Sequence, residues 1–538
     1  MIQKKLLSAA EILIIVVLAC VPLFITFPYR VNIFLSWEGA YRMSLGQLPF
    51  RDFGIPMGGM YWVVPALFFK LFGPAMITLI KAQAFLNIVS ALAFRSILKS
   101  LDVHPGIRVT ALLLYCLSYS FFNFWPWYNH TVIVYEFVAL AFLMKYIFYS
   151  GSKYRLPWLL LAAVFTFVSF FTKQDGGGMA FLICCALLLY HCWTKKNWWA
   201  LLVYIGFFAL IMILVIWPLT QYEFGYWFNH GQAPHNARLS LMEVADEFFG
   251  NSDWLKFYIF LISLIILADY KSWKPAKGNK QSLIFLLLTL GILVEAVIFQ
   301  VTSYTPPDNN IFFHSFAFVF IISFLAKQLR LNFDKFFVVI FCGAGVLLWW
   351  SHVYWTYIQR IAARTSAGES ANLSPTGENL VNRHNYIYDL DTTKIPQSKW
   401  VFSDLPVFKK IYMPAPTVEG IKRIMNLDLV RTNKDLRVLN MSELTPLAAA
   451  IPYHLERGPE YPLWFHLGVG MFNREARMFE SRIGDKYYDL VLFENIPSLN
   501  NFYPFRIRDS LQKHYRMIDS FYAPRRGDTK GTIEVYVK

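Results

Sequence analysis

The chain of 538 residues is short of charge: only 16% of it is Asp, Glu, Lys or Arg, against about a quarter in soluble globular domains. With 56% apolar and 18% aromatic residues, that deficit excludes an ordinary soluble enzyme. Repeated apolar runs of about 18 residues or more make the chain a polytopic α-helical membrane protein. A dense acidic cluster is also missing. Hard divalent cations want several oxygen ligands, so no cofactor is expected as obligatory, and a divalent metal is left open. Cysteine is scarce where an external domain would use it. Cys20, Cys116, Cys184, Cys185, Cys192 and Cys342 lie in apolar runs and the polar C-terminal third has none, which excludes a disulfide framework there. No small-residue cleavage site follows Lys4, Lys5 and the apolar run Ile12 to Phe27, so this run reads as an uncleaved first helix rather than a signal peptide. Repeats and low-complexity tracts are absent. The formal charge of +15 does not point to nucleic acid, because it can sit on loops at one side of a bilayer.

The apolar runs predict about eleven spans near 8–27, 75–98, 107–123, 131–149, 156–172, 177–193, 198–219, 254–270, 281–302, 309–327 and 335–357, each near the roughly 20 residues a bilayer needs. Even-numbered links carry the positive charge: Arg95/Lys99/Arg108, Lys153/Arg155, Lys195/Lys196, Lys271/Lys274/Lys277/Lys280 and Lys327/Arg330/Lys335. The odd links carry little. Positive charge favours the cytoplasm, so the N-terminus is expected inside, and the first loop and the C-terminal third outside. In a bacterium this means the inner membrane with a periplasmic C-terminal part. Tyr61 to Phe72 is only about 12 residues, or some 18 Å of helix, and reads as an interfacial helix. A turn and then a helix from about Ser240 are expected in the loop 221–253.

The expected organisation is a transmembrane domain over 1–357, with its first external loop at 28–74, and a soluble extracytoplasmic α/β domain over 358–538. In the latter, strands are predicted at Trp400–Ser403, Leu436–Asn440, Asp489–Phe493 and Thr532–Val537. Helices are predicted at Val418–Met425, Ser442–Ala450, Met471–Ile483 and Phe505–His514. Asp404 to Pro416 and Arg457 to Pro462 read as loops, punctuated by Pro and Gly.

The stretch Trp37 to Gly73 gathers Glu38, Arg42, Arg51 and Asp52 among aromatics just after the first span. Its phrases are an acid at Glu38, then GQLPFRDF (Gly46 to Phe53), then ALFFKLFG (Ala66 to Gly73). In this order and spacing they resemble the first external loop of the GT-C superfamily of polyprenyl-phosphate-sugar glycosyltransferases, which includes protein mannosyltransferases and lipid A aminoarabinose transferases and is glycosyltransferase family 39-like. The family usually has Asp where this chain has Glu38; the longer side chain alters the reach.

The resemblance implies a donor in which a polyprenyl phosphate carries one sugar, and an acceptor hydroxyl on a glycan, lipid or protein. Such chemistry needs a base for the acceptor's proton, cations for the departing phosphate and a groove for the apolar tail. Glu38 is the candidate base; it is alternatively the ion-pair partner of Arg42. Asp52 either positions the sugar or pairs with Arg51. For the phosphate the candidates are Arg42, Arg51, Lys173 in FFTKQDGGG, His314 in NNIFFHSF, and His130 in YNHT. Lys173 and His314 have the alternative readings of a snorkelling lysine and a structural hydrogen-bonder. Gly176, Gly177 and Gly178 either admit a ligand to the backbone or make a tight hairpin. Two acids lie deeper in apolar runs, where ionisable groups mark a function or a partner. Glu136 could line the cavity, and Glu295 suits either an interhelical hydrogen bond or a proton-coupled transporter. The expected function is an inverting membrane glycosyltransferase whose partners are the donor, the acceptor and membrane lipids, with no nucleic acid. A lipid-linked glycan polymerase or ligase, and less readily a transporter, are the rivals.

Overall fold

The structure, a computed structural model, describes residues 2–29, 33–122, 124–228, 240–268, 280–303, 311–355, 358, 395, 400–465, 471–496, 503–524 and 531–538. Every expected span coincides with a helix: α1 (Ile2–Cys20), α4 (Met76–Ser100), α5 (Pro105–Phe122), α6 (Tyr128–Phe148), α7 (Arg155–Phe170), α8 (Gln174–Lys195), α9 (Trp199–Ile216), α11 (Asp253–Ala268), α12 (Lys280–Ser303), α13 (Ile311–Gln328) and α14 (Phe336–Trp349). Between them lie α2 (Ile33–Ser44), α3 (Met60–Phe72) and α10 (Leu241–Asp246), the last capped by Ser240 as expected.

Six helices among the described residues are long and apolar enough to cross a membrane, and the 78° bent pair Leu241–Asn251 and Asp253–Ala268 makes a seventh if it is one span. The chain is an integral membrane protein on that ground. At 16 and 14 residues, α7 and α14 measure only about 24 and 21 Å against a hydrocarbon core of about 30 Å.

Burial ranks the helices. The span of α6 is 83% buried and that of α9 only 17%, so α6 is the bundle's centre, packed by α4, α7 and α8. Leu202, Leu210, Ile213 and Leu214 leave α9 exposed as lipid would require. One end of the bundle is pinned by a buried acid. Glu11 on α1 holds Arg95 of α4 at 2.5 Å and Arg108 of α5 at 2.8 Å, a partner for those link arginines that the basic pattern alone does not reveal.

The other end carries α2 and α3. The two helices close on each other at Gly39, where a Cβ would lie 2.0 Å from the Trp62 ring; only glycine fits. On the opposite side of α3, Val63, Leu67, Leu71 and Phe72 are exposed, the apolar face an interfacial helix would lay on lipid.

The C-terminal residues form two small sheets. One has the order β1-β3-β2, from Phe27–Pro28, Ile411–Pro414 and Trp400–Phe402, with β1 parallel and β2 antiparallel to β3. The other has the order β4-β5-β7-β6, from Val438–Met441, Leu490–Asn495, Thr532–Val537 and Arg516–Tyr522, with β4 and β5 parallel and the remaining pairs antiparallel. Helices α15 (Ala415–Met425), α16 (Asp428–Thr432), α17 (Asn473–Gly484) and α18 (Phe505–His514) accompany them.

Four readings need correction. Asp404–Pro416 is not a loop, since it holds β3 and the start of α15; β3 is buried throughout and Pro414 ends it without needing a ladder donor. Ser442–Ala450 is a 3₁₀ turn at Thr445–Ala449 rather than a helix, because Pro446 removes a helical donor. Strand β6 was not anticipated: its burial is irregular, so the two-residue alternation that marks a half-buried strand is weak. Nor was β1, only two residues long. The expected boundary at 357/358 falls in a stretch that is almost wholly outside the described residues.

The N-terminal loop and the C-terminal residues interlock. Phe27 pairs with Ile411 and Pro28 with Tyr412. The Gly54 N–H donates to Tyr461 O at 2.7 Å, the Leu463 N–H to Gly54 O at 2.9 Å, and the Gly458 N–H to Asp52 O at 2.8 Å. Tyr29 donates its hydroxyl to the Glu443 carbonyl.

Candidate active site

Glu38 lies within α2 rather than in an open loop, and it is 5% exposed. One turn later on the same face, Arg42 reaches its Oε1 through Nε at 2.9 Å and Nη2 at 2.8 Å. The same guanidinium donates to Gln47 Oε1 at 3.0 Å and to the Glu456 carbonyl at 2.7 Å, and its Cζ lies 4.8 Å from the Tyr461 ring centroid. Arg42 is therefore fully engaged in orienting Glu38 and fastening the C-terminal residues above it. Burial pushes the Glu38 carboxyl up from its ordinary value, and the charge and hydrogen bond of Arg42 offset part of that rise.

A cavity of about 10 Å³ adjoins Glu38 and Arg42, roofed by Asn440, Tyr453, Glu456 and Tyr461. It holds about one water. Beyond Glu456 and Tyr461 lies a larger cavity of about 290 Å³, lined also by Glu223, Arg457 and Arg482. The chain thus shows Glu38 in a closed chamber with an open vestibule outside it. No local pattern announces this roof: Tyr453 and Glu456 belong to no motif, and Arg457–Pro462 reads only as a loop.

Asp52 is placed differently. Its Oδ2 accepts from Arg51 Nε at 2.9 Å, Arg51 Nη2 at 2.6 Å and the Leu48 N–H at 2.8 Å. Burial works against its ionisation, but the Arg51 hydrogen bond, the Leu48 N–H and the charges of Arg51 and Arg457 outweigh it and hold the carboxyl below its ordinary value. Arg51 also donates to Gly46 O at 3.0 Å. The RDF phrase closes its own turn.

Lys173 caps the start of α8 and binds Asp175 at 2.6 Å. It also donates to Ser303 on α12, and it lies 4.8 Å from the Phe299 ring and 6.0 Å from the Tyr128 ring. Asp175, which itself takes the Thr302 hydroxyl, is the ion-pair partner that sequence reasoning passed over although it stands two residues away. All three glycines lie in the first turns of α8, where Gly177 lets that helix close on the backbone of Phe170 at the end of α7, a Cβ there lying 2.1 Å away, while Gly178 meets nothing within 4 Å.

The path from Lys173 back to Glu38 is aromatic. Tyr128 meets Tyr61 with centroids 5.9 Å apart, Tyr61 meets Trp62 at 4.4 Å, and Trp62 donates to Leu35 O on α2 at 3.0 Å. Beside this path the Tyr61 hydroxyl and both ring nitrogens of His130 are shielded from solvent with no hydrogen-bond partner among the described residues.

His314 is not gathered here. It takes a Tyr258 contact at 3.0 Å and lies between Trp254 and Trp350, at 4.2 and 5.7 Å. Glu136 on α6 and Glu295 on α12 are both wholly buried, and none of their carboxyl oxygens has a hydrogen-bond partner among the described residues. Among the described residues no group of three or more His, Cys, Asp or Glu is placed to hold a metal.

In comparisons with known proteins, no family model and no curated protein matches this chain. Solved structures do match. The chain is similar to ArnT from Cupriavidus metallidurans in the apo state, at 12% identity and a TM-score of 0.47, over 98% of this chain and 97% of that one. It is also similar to ArnT from the same organism bound to undecaprenyl phosphate, at 11% identity and a TM-score of 0.46, over 99% of this chain and 97% of that one.

Proposed function

We propose that the chain is a membrane glycosyltransferase that moves a monosaccharide from a polyprenyl-phosphate donor to a glycan, lipid or protein acceptor at the external membrane face, with inversion. The observation that carries this reading is Glu38, a buried carboxylate oriented by Arg42 beneath a closed roof, in the loop whose phrases resemble those of GT-C enzymes. In the proposed step the acceptor oxygen bonds to the anomeric carbon as the bond from that carbon to the phosphate oxygen breaks. The electron pair stays on the phosphate and the acceptor's proton passes to Glu38. A carboxyl raised by burial is a better proton acceptor near neutral pH than an ordinary one. Lys173, with the unpartnered His130 and Tyr61 along the same aromatic path, would meet the phosphate, where preorganised donors lower the barrier most. Arg42 positions Glu38, and Asp52 with Arg51 shapes the loop. His314, in its own cage, is left out of the step.

The test is turnover of radiolabelled polyprenyl-phosphate sugars by purified wild type and Glu38→Gln in detergent. Wild-type turnover that falls by roughly 10²–10⁴ in the variant, the range for losing a general base, supports the reading. Equal turnover moves the base elsewhere. No release from any monophosphate donor favours the diphosphate-donor rival, or the transporter that the Glu136–Glu295 pair would suit.

A further inference from the structure

At the end of α6 opposite Tyr128, about 30 Å along that 21-residue helix, lies a cavity of about 500 Å³. Its lining includes Tyr146, Arg155, His191, Lys195, Trp199 and Lys280, and among its described residues there is no carboxylate. Three cations from α7, α8 and α12 therefore face one space without an acid.

The centre of the cluster is His191, only 3% exposed. The Lys280 ammonium lies 2.7 Å from its Nδ1, and Arg155 Nη2 lies 3.4 Å from its Nε2. A neutral imidazole has one lone pair and one N–H, so it can accept from one of these cations but not both. The other then faces an N–H, and a protonated ring would add a fourth positive charge. Either way the ring leaves one of the two cations without its lone pair, and the neutral Tyr146 carbonyl, 3.4 Å from Arg155 Nε, brings no negative charge. Arg155 is held in place by stacking on Tyr146, 4.5 Å from the ring centroid, rather than by a counter-charge. Trp199 lines the cavity, and Trp193, Trp198 and Trp199 are exposed on the same stretch of chain, the composition of a membrane interface.

We propose that this cavity is a binding site for an anionic phosphate group at the end of the bundle remote from Glu38. A phosphate brings several strong acceptor oxygens and supplies the negative charge that Arg155, Lys195 and Lys280 do not receive from the described chain; Arg and Lys are the residues suited to it. The phosphate of a membrane lipid headgroup and free inorganic phosphate share this chemistry. Basic pockets between helices at a membrane surface bind such headgroups.

The test uses the full chain purified in a neutral detergent, titrated with dioleoylphosphatidylglycerol, with dioleoylglycerol as the phosphate-free counterpart, and with inorganic phosphate. Binding is read from the melting midpoint and from retention in native mass spectrometry. The expected result is binding of the phosphatidylglycerol and not of the dioleoylglycerol, weakened roughly fivefold by each of Arg155→Gln and Lys280→Gln and unchanged by the exposed Lys153→Gln. A cluster-dependent shift from inorganic phosphate that lipid does not increase identifies the free ion as the source. If a buried variant fails to fold, Lys195→Gln at the exposed rim replaces it and is expected to weaken binding likewise. Binding that survives all of these substitutions, or no binding of either phosphate compound, overturns the proposal. None of these readouts depends on the transferase activity.

Discussion

The Arg42 guanidinium lies over the Tyr461 ring, 4.8 Å from centroid to Cζ, so the residue that holds Glu38 is itself held by the C-terminal part of the chain. The Glu38 carboxylate and its cover are mechanically one unit. A substrate that reaches Glu38 must move Tyr461 and Glu456, because the 10 Å³ left beside the carboxyl does not admit a sugar.

Amide hydrogen exchange should register that movement. The N–H groups of Gly54, Gly458 and Leu463 cross between the first loop and the C-terminal residues and are expected to be protected in the free protein. Adding a polyprenyl-phosphate sugar with acceptor should speed exchange across 453–463. Unchanged protection at saturating substrate would show that the roof stays shut and that access lies elsewhere.

Arg42→Gln should move the acid limb of kcat/KM to higher pH. Burial raises the Glu38 carboxyl and Arg42 lowers it, so removing Arg42 leaves the rise less opposed. A general base works only when ionised, so activity then sets in at higher pH than in the wild type. An acid limb that stays in place would separate it from Glu38.

Asp52→Asn should lower stability by about 1–3 kcal/mol, the range for losing hydrogen bonds to a charged group. The folded carboxyl sits below its ordinary value of 3.8. Its contribution is thus present above the unfolded value and lost as pH falls through the folded one. Melting curves of the two proteins should differ most at neutral pH and approach each other as pH falls below 3.8. A constant difference at all pH values would mean that ionisation of Asp52 contributes nothing.

Glu11→Gln should destabilise by about 3 kcal/mol or more, since breaking a buried ion pair leaves charge uncompensated. Glu11 is fully buried and serves both Arg95 and Arg108. Thermal melts in detergent would show it, with wild-type stability in the variant as the contrary result. Because this triad lies at the far end of the bundle, the pH profile of turnover should not move.

The helices were legible because each is an apolar run long enough to be its own signal, and α3 because its length is too small for a span. The ion pair of Glu38 with Arg42 was one of the alternative readings of that acid, but the helix that sets it was not expected at that position. The roof was not legible. Arg42 and the Glu456 carbonyl are 414 residues apart in sequence, and no local pattern records such a pairing. Strands β1 and β3 are two and four residues long, too short for an alternation to show. Asp175 was within reach of sequence reasoning, two residues from Lys173, and Glu11 stood in an apolar run where an acid always asks for a partner.

The bond between Tyr29 and the carbonyl of Glu443 spans 414 residues, and with β1 against β3 it sets an order of assembly. A ribosome delivers the chain from its N-terminus, so Glu38 and Arg42 are inserted long before the residues that enclose them exist. Until the last third is made, the nascent protein carries Glu38 without a cover, and a chain terminated before Ile411 cannot form the enclosed chamber at all. Completion of synthesis is thereby the event that encloses this carboxylate.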